Sequence, residues 1–385
     1  MRVLILGGDG YLGWPTAMYF ASRGHEVAIV DNLVKRFWEA ELNVEPLFPI
    51  ASLGKRVKRW NAETGKNIKS YIGDIAKNHR FVYQVFDEFA PEAVIHYAEQ
   101  PSAPYSMMNR QKALDTQINN VAGTMNVMFA MQHANPNAHM IKLGTMGEYG
   151  TPNIDIEEGW IEIEHKGRKD RMLYPKKPHS FYHLSKVHDS ANLEFACRVW
   201  GMRATDLNQG VVYGTETEET LIHPELGTSF HYDAIFGTVL NRFVTQAAAG
   251  IPLTVYGGGG QQRGFLNILD TLRCVELATL NPAEPGEFRV FNQITEQFSV
   301  GELANRVKNV AESNNLQVKV DHVDNPRTEQ EDHYYNVTYS SLIDLGLEPH
   351  YLTDDVIERM LKRAVDSKSR VDMDQIYPSV KWKQG

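Results

Sequence analysis

Short β-branched, apolar runs recur along the first half of the chain, at residues 3–6, 27–30, 69–72, 93–96 and 140–143, with a sixth at 204–207. Longer stretches with helix-like spacing separate them. This alternation predicts an α/β fold built on a doubly wound parallel (Rossmann) sheet. The first connecting helix is expected from about Tyr11 to Arg23, ending at Gly24. Pro15 falls in its first turns, where a missing N–H costs little.

Two insertions interrupt the pattern. Residues 32–68 carry the basic cluster Lys55, Arg56, Lys58 and Arg59 beside Trp60, which reads first as a solvated helix face and second as a ligand or subunit contact. Residues 151–178 hold a period-2 run at 160–164, then Lys166-Gly167, then residues 168–173, which together predict a β-hairpin. Its place directly after the fifth strand makes it a candidate lid, with a merely decorative hairpin as the alternative. After Tyr213-Gly214 the alternation weakens into a smaller, irregular lobe with strands expected at 253–256 and 288–291. The chain therefore divides into a cofactor-binding domain at 1–212 and a substrate lobe at 213–385, with some segments returning to the main domain.

A length of 385 residues allows a substantial core, and a formal net charge of −9 argues against a general nucleic-acid surface. The two cysteines, Cys197 and Cys274, are too few for a disulfide scaffold or a cysteine-built metal site, so no metal is expected. No apolar run approaches the roughly 20 residues that span a bilayer, and the first strand starts almost at the N-terminus. The expectation is a mature cytoplasmic protein that does not enter a membrane.

Gly7-Gly8-Asp9-Gly10-Tyr11-Leu12-Gly13 follows the first strand and opens the first helix, where free N–H groups and the helix dipole hold a pyrophosphate. Asp31 ends the second strand, the position of a carboxylate that accepts hydrogen bonds from the adenosine ribose and disfavours a 2′-phosphate. Gly73-Asp74-Ile75 ends the third strand, with Asp74 either reading the adenine edge or capping a helix. Far downstream, Tyr182 and Lys186 lie four residues apart, on one helix face. A cation there favours phenolate, fitting Tyr182 as a base near neutral pH. Thr145 ends the fifth strand.

In order and spacing these motifs resemble the extended short-chain dehydrogenase/reductase superfamily. The resemblance implies NAD, held by Gly7, Asp9, Gly10, Tyr11, Leu12, Gly13, Asp31, Asn32, Asp74, Ile75, Asn119, Tyr182, Lys186, Gln209 and Val212. It also implies Thr145 beside the Tyr182 hydroxyl and Lys186 on the nicotinamide ribose, while Asn120 is either a water relay or a structural side chain. Residues 263–270 (RGFLNILD) and Asn325-Pro326-Arg327 resemble the diphosphate-binding stretches of sugar-nucleotide epimerases and dehydratases. Arg263 and Arg327 are accordingly expected on the diphosphate, a planar guanidinium suiting two phosphoryl oxygens. Gln100, Tyr105, Thr145, Gln209, Arg242, Tyr256 and Gln262 complete the expected sugar-nucleotide site.

Longer strings narrow the resemblance to the UDP-sulfoquinovose synthase family: Glu99-Gln100 with residues 102–107, and residues 143–156, 181–190, 204–214 and 286–300. That family implies conversion of UDP-glucose and sulfite to UDP-sulfoquinovose and water. C4 is transiently oxidised, C5 and C6 are dehydrated, sulfite adds at C6 and C4 is reduced again. It further implies a homodimer through helices near 113–133 and 180–200, using Val121, Met125, Met128 and Leu193, and a possible sulfite-donating protein. Where the 4,6-dehydratases carry an Asp-Glu pair after the Thr, this chain has Met146-Gly147, with Glu148 one residue later. The candidates for proton transfer at C5 and C6 are thus Glu148, which alternatively fixes the local turn, and His183, whose imidazole titrates near working pH. The rival readings are a UDP-glucose 4-epimerase or 4,6-dehydratase and, in another class, an NAD-sensing regulator.

Overall fold

The computed structural model describes residues 1–327 and 333–382. In chain order the strands are β1 (Arg2–Leu6), β2 (Glu26–Asp31), β3 (Ile68–Ile72), β4 (Ala93–His96), β5 (His139–Thr145), β6 (Trp160–His165), β7 (Arg168–Leu173), β8 (Arg203–Gln209), β9 (Val211–Tyr213), β10 (Leu253–Tyr256), β11 (Gln262–Asn267), β12 (Phe288–Gln293), β13 (Glu296–Ser299) and β14 (Val320–Val323). The helices that matter below are α1 (Gly13–Ser22), α2 (Val34–Leu42), α3 (Leu53–Thr64), α4 (His79–Phe89), α5 (Ala103–Met107), α6 (Arg110–Gln117), α7 (Gly123–Ala134), α8 (Phe181–Trp200), α9 (Val239–Ala249), α10 (Ile268–Leu280) and α11 (Val300–Ser313).

A strand that is apolar at every position needs cover on both faces, and β1 is such a strand. Val3 and Ile5 point to one layer, with Trp14 and Phe20 of α1 and Leu272 and Val275 of α10. Leu4 and Leu6 point to the other, with Phe86 of α4, Met131 of α7 and Leu193 of α8. The resulting seven-stranded parallel sheet has the order β12-β8-β5-β4-β1-β2-β3. Its order reverses between β1 and β4, which opens a crevice at the carboxyl ends of the strands.

A run expected in the lobe instead completes this sheet. Phe288–Phe291 belongs to β12, which pairs in parallel with β8 at the sheet edge, because its side chains fill the space beside that strand. The lobe has its own core, made by Phe243 and Val244 of α9, Leu253 and Val255 of β10, and Leu303 and Val307 of α11. The two regions are joined at the site by adjacent crossings. β8 passes through Gly210 into β9, and β12 passes into β13, both entering the small sheet β13-β11-β9. The Gly210 N–H donates to Gln293 O at 3.0 Å, and that of Thr295 to Phe265 O at 2.9 Å.

The hairpin at 160–173 forms as expected, with Lys166 and Gly167 both at positive φ (51° and 76°) in its turn. It does not act as a lid. The Trp160 indole donates to Phe288 O at 3.3 Å, so the hairpin lies along the β12 edge, and none of its strand residues lines a cavity of the site. The basic cluster is likewise not a uniformly solvated face. Lys55 and Lys58 are exposed, but Arg56 is fully buried on the inner side of α3, over the Trp14 ring and against Asp9. Among the described residues no helix is long and apolar enough to cross a membrane.

Candidate active site

Two cavities of about 380 Å³ and about 320 Å³ open at the carboxyl ends of the strands and share a wall that includes Thr145, Tyr182 and Gln209. The first lies over the glycine turn. A Cβ at Gly13 would come within 2.0 Å of Gly7 O, and one at Gly7 within 2.8 Å of the Tyr97–Ala98 backbone. Only glycines let the chain turn this tightly into α1, whose N-terminus faces the cavity. Asp31 accepts from the Asp9 N–H at 2.8 Å and the Leu33 N–H at 2.7 Å. Burial raises its carboxyl, and those two donors pull it back. The groove thus has the glycine turn, the helix end and a carboxylate at the end of β2.

Of the residues expected on the cofactor, Gly7, Asp9, Gly10, Tyr11, Leu12, Gly13, Asp31, Asn32, Ile75, Asn119, Tyr182, Gln209 and Val212 all line this cavity. Asp74 does not. Its carboxylate accepts from the N–H groups of Ala76 and Lys77, both at 2.9 Å, and from the Asn32 amide at 3.1 Å, so it folds the turn after β3. Asn120 is also structural, bridging the Gln100 N–H at 2.8 Å and the Ser185 hydroxyl at 2.9 Å. The insertion supplies wall residues that the motifs do not reveal: Arg36, whose guanidinium grips Asp9 with a 2.6 Å bond, and Lys35, paired with Glu39 and 2.9 Å from His231. The only sequence signal for them is the length of the insertion.

The second cavity gathers Thr145, His183, Gln209, Arg242, Tyr256, Gln262, Arg263 and Arg327 from β5, α8, β8, α9, β10, β11 and the segment after β14. The Arg242 guanidinium donates to the Tyr256 hydroxyl at 3.2 Å and stacks on that ring. Arg327 lies over Trp382, so the segment 378–382 forms part of this wall. Gln100 and Tyr105 fall outside both linings. Gln100 is fully buried on the Asn120 side chain, and Tyr105 packs between Trp38 and Phe236, because the α5 loop needs them to hold its own fold.

Ser180 caps α8, accepting the His183 N–H at 3.2 Å, and so fixes where Tyr182 and His183 point. The Ser180 hydroxyl also lies 3.1 Å from His183 Nδ1. Burial, with Arg327 and Arg263 nearby, lowers this imidazole to about 3. It is therefore uncharged at working pH, not a group that titrates there. Its Nε2 lies against Gly147, where a Cβ would approach to 2.4 Å.

Glu148 is turned the other way. It is fully buried behind β5, accepting the Thr145 N–H at 3.0 Å and the Ser190 hydroxyl at 3.0 Å and pairing with Lys176 and Lys142. Thr145 and Glu148 make a capping box over a 3₁₀ turn, and this turn, not C5 or C6 chemistry, uses the carboxylate. Lys186 is withdrawn too. Its ammonium donates to Leu143 O at 2.5 Å and lies 2.6 Å from Glu99, 5.8 Å from the Tyr182 ring centre, and it lines neither cavity. The Tyr182 phenol, expected to be lowered, is instead raised well above its ordinary value by burial and by Glu99 and Glu148.

Residues 3–292 match the model of the NAD dependent epimerase/dehydratase family. The chain is 56% identical over 383 residues to the chloroplastic UDP-sulfoquinovose synthase of Spinacia oleracea, covering 100% of this chain and 79% of that protein. It is 41% identical over 387 residues to the UDP-sulfoquinovose synthase of Sulfolobus acidocaldarius, covering 100% and 98%. The fold is shared with the UDP-glucose 4-epimerase of Bifidobacterium longum, at a TM-score of 0.70 and 19% identity over 96% of this chain and 99% of that one. With its glycine turn, its Tyr182–Lys186 helix and a likeness that runs its whole length, the chain belongs to the NAD-dependent epimerase/dehydratase family and, within it, to the UDP-sulfoquinovose synthases.

Proposed function

We infer that this enzyme converts UDP-glucose and sulfite to UDP-sulfoquinovose and water. The observation that carries the reading is the meeting of the two cavities at Thr145 and Tyr182, which sets a sugar ring bound on one side against a dinucleotide bound on the other. Its relatives' names supply the substrate class. NAD, when bound, supplies the acceptor of the C4 hydride and its return. Arg263 and Arg327 hold the diphosphate, Arg242 and Tyr256 wall the nucleotide side, and Gln209 closes the floor.

Direct displacement of the C6 hydroxyl by sulfite would ask a poor leaving group to depart from an unactivated carbon. A ketone at C4 removes the difficulty by making the C5 proton acidic. Tyr182, once it has given up its own proton and is phenolate, takes the C4 hydroxyl proton, with Thr145 orienting that hydroxyl. The His183 imidazole, uncharged beforehand, takes the C5 proton and passes it to the departing C6 hydroxyl. That hydroxyl leaves as water, and hydrogensulfite, adding through its sulfur at C6, supplies the proton that returns to C5. No second carboxylate is needed at position 147, where His183 occupies the space.

The decisive experiment incubates purified enzyme with UDP-glucose, with and without free sulfite, and weighs the sugar nucleotide by mass spectrometry. A sulfonated hexose is expected only with sulfite. UDP-galactose or a 4-keto-6-deoxy sugar would sink the reading, and product formed only after adding a second protein would assign sulfite delivery to a donor. We also assign the enzyme to a reducing cytoplasm, supported by its two buried, unpaired thiols.

A further inference from the structure

Glu99 follows β4 and lines the cofactor cavity at a place where the sequence pattern leads one to expect Lys186. Its side chain is 2% exposed, and its Oε2 lies 2.6 Å from the Lys186 ammonium. No other described group donates a hydrogen bond to either carboxylate oxygen. Leu143 O holds the same ammonium from a second side. A buried carboxylate with one cation and nothing else has its energy tied to where that cation stands.

The surrounding charges leave this pair to itself. Lys142 is matched by Asp206 at 3.1 Å and Glu148 at 3.4 Å, and Glu148 also takes Lys176. Asp189, one turn beyond Lys186 on α8, is fully buried with no hydrogen-bond partner on either oxygen. Burial and the charge on Glu99 push its carboxyl well above the usual range, against the pull of Lys142 and Lys186. The two nearby imidazoles, His96 on β4 and His183, are lowered to about 3 and are uncharged. In this cluster Glu99 is the carboxylate paired with Lys186.

We propose that Glu99 is a positioning residue which, by holding the Lys186 ammonium behind the cavity wall, 5.8 Å from the Tyr182 ring centre, sets how readily Tyr182 yields its proton. Of the charges that raise the Tyr182 phenol, Glu99 is the foremost, ahead of Glu148, with Lys142 opposing both. The inference rests on Tyr182 being the base for C4 oxidation, and the test separates the two.

Uniformly [¹³Cζ]tyrosine-labelled full-length protein is titrated by NMR, with Tyr182→Phe assigning the resonance, and the pH profile of first-turnover C4 oxidation is followed at 340 nm. Glu99→Gln is expected to lower both the Tyr182 midpoint and the rising limb of the profile by about one pH unit, the scale of removing one like charge at close range. Glu99→Asp, which keeps the charge, should return both towards the wild-type position. An unmoved Tyr182 midpoint in folded Glu99→Gln overturns the proposal. Should Glu99→Gln not fold, the neutral pair Glu99→Gln/Lys186→Met is compared with Lys186→Met alone: a lower midpoint in the double variant supports the role of Glu99, and equal midpoints refute it. Undiminished oxidation by Tyr182→Phe would instead remove the base assignment.

Discussion

A methyl group at Gly147 would reach to within 2.4 Å of His183 Nε2, so Gly147→Ala must move the imidazole. If His183 handles the C5 proton, a displacement on the order of 1 Å is expected to cost about 10²-fold in product formation while C4 oxidation persists. Solvent deuterium incorporation at C5 measures the loss directly. Glu148 belongs to a different experiment. Burial alone would raise its carboxyl, but Lys142 and Lys176 hold it at about 2, below its ordinary 4.5. A group depressed in the folded state stabilises the fold above its unfolded value and loses that contribution as pH falls. Wild-type stability to urea should therefore drop between about pH 4.5 and pH 2. Glu148→Gln should lose about 3–5 kcal/mol at neutral pH, because it leaves two ammonium groups short of charge, and should respond less to acid across that window. A glutamate three residues past Thr145, one later than the Asp-Glu pair of the 4,6-dehydratases, is legible in the sequence. Which way it faces is not, because a 3₁₀ turn replaces the last step of the strand.

At the scale of elements, strands with apolar side chains on both faces declared themselves, and β4 falls at residues 93–96 as the pattern predicts. Pattern could not tell that Phe288–Gln293 joins the main sheet, since pairing across the chain leaves no local trace. Helix faces were harder still. Met128 and Leu193, expected at a subunit contact, are buried in their own subunit's core, whereas Met125 is exposed. The hairpin was readable because its turn needs residues tolerant of positive φ. Gly167→Ala places a Cβ at φ 76° and should cost the hairpin about 1 kcal/mol. Faster amide hydrogen exchange across residues 160–173 with unchanged turnover is the expected signature. A fall in turnover would reinstate the hairpin as part of the site.

For the molecule as a whole, Leu114, Ile118, Met125, Phe129, Phe195 and Val199 are all exposed on α6 to α8 and the helical segment between α6 and α7. Phe129 and Phe195 both pack on Trp200, which makes part of this patch continuous. Contiguous apolar surface of this kind is what a two-fold contact between copies covers. A homodimer is expected in light scattering at micromolar concentration, and Phe129→Glu with Phe195→Glu should yield monomers. The two crossings beside the site, at Gly210 and at residues 294–295, bear on how such a molecule opens. Because β8 and β12 enter the small sheet side by side, cross-bonded and with Gly210 pressed against Gly264 O, the joint behaves as a weld and not as a hinge. The second cavity also takes part of its wall from residues 378–380 and Trp382, which belong to neither of these sheets, with Arg327 over the Trp382 ring.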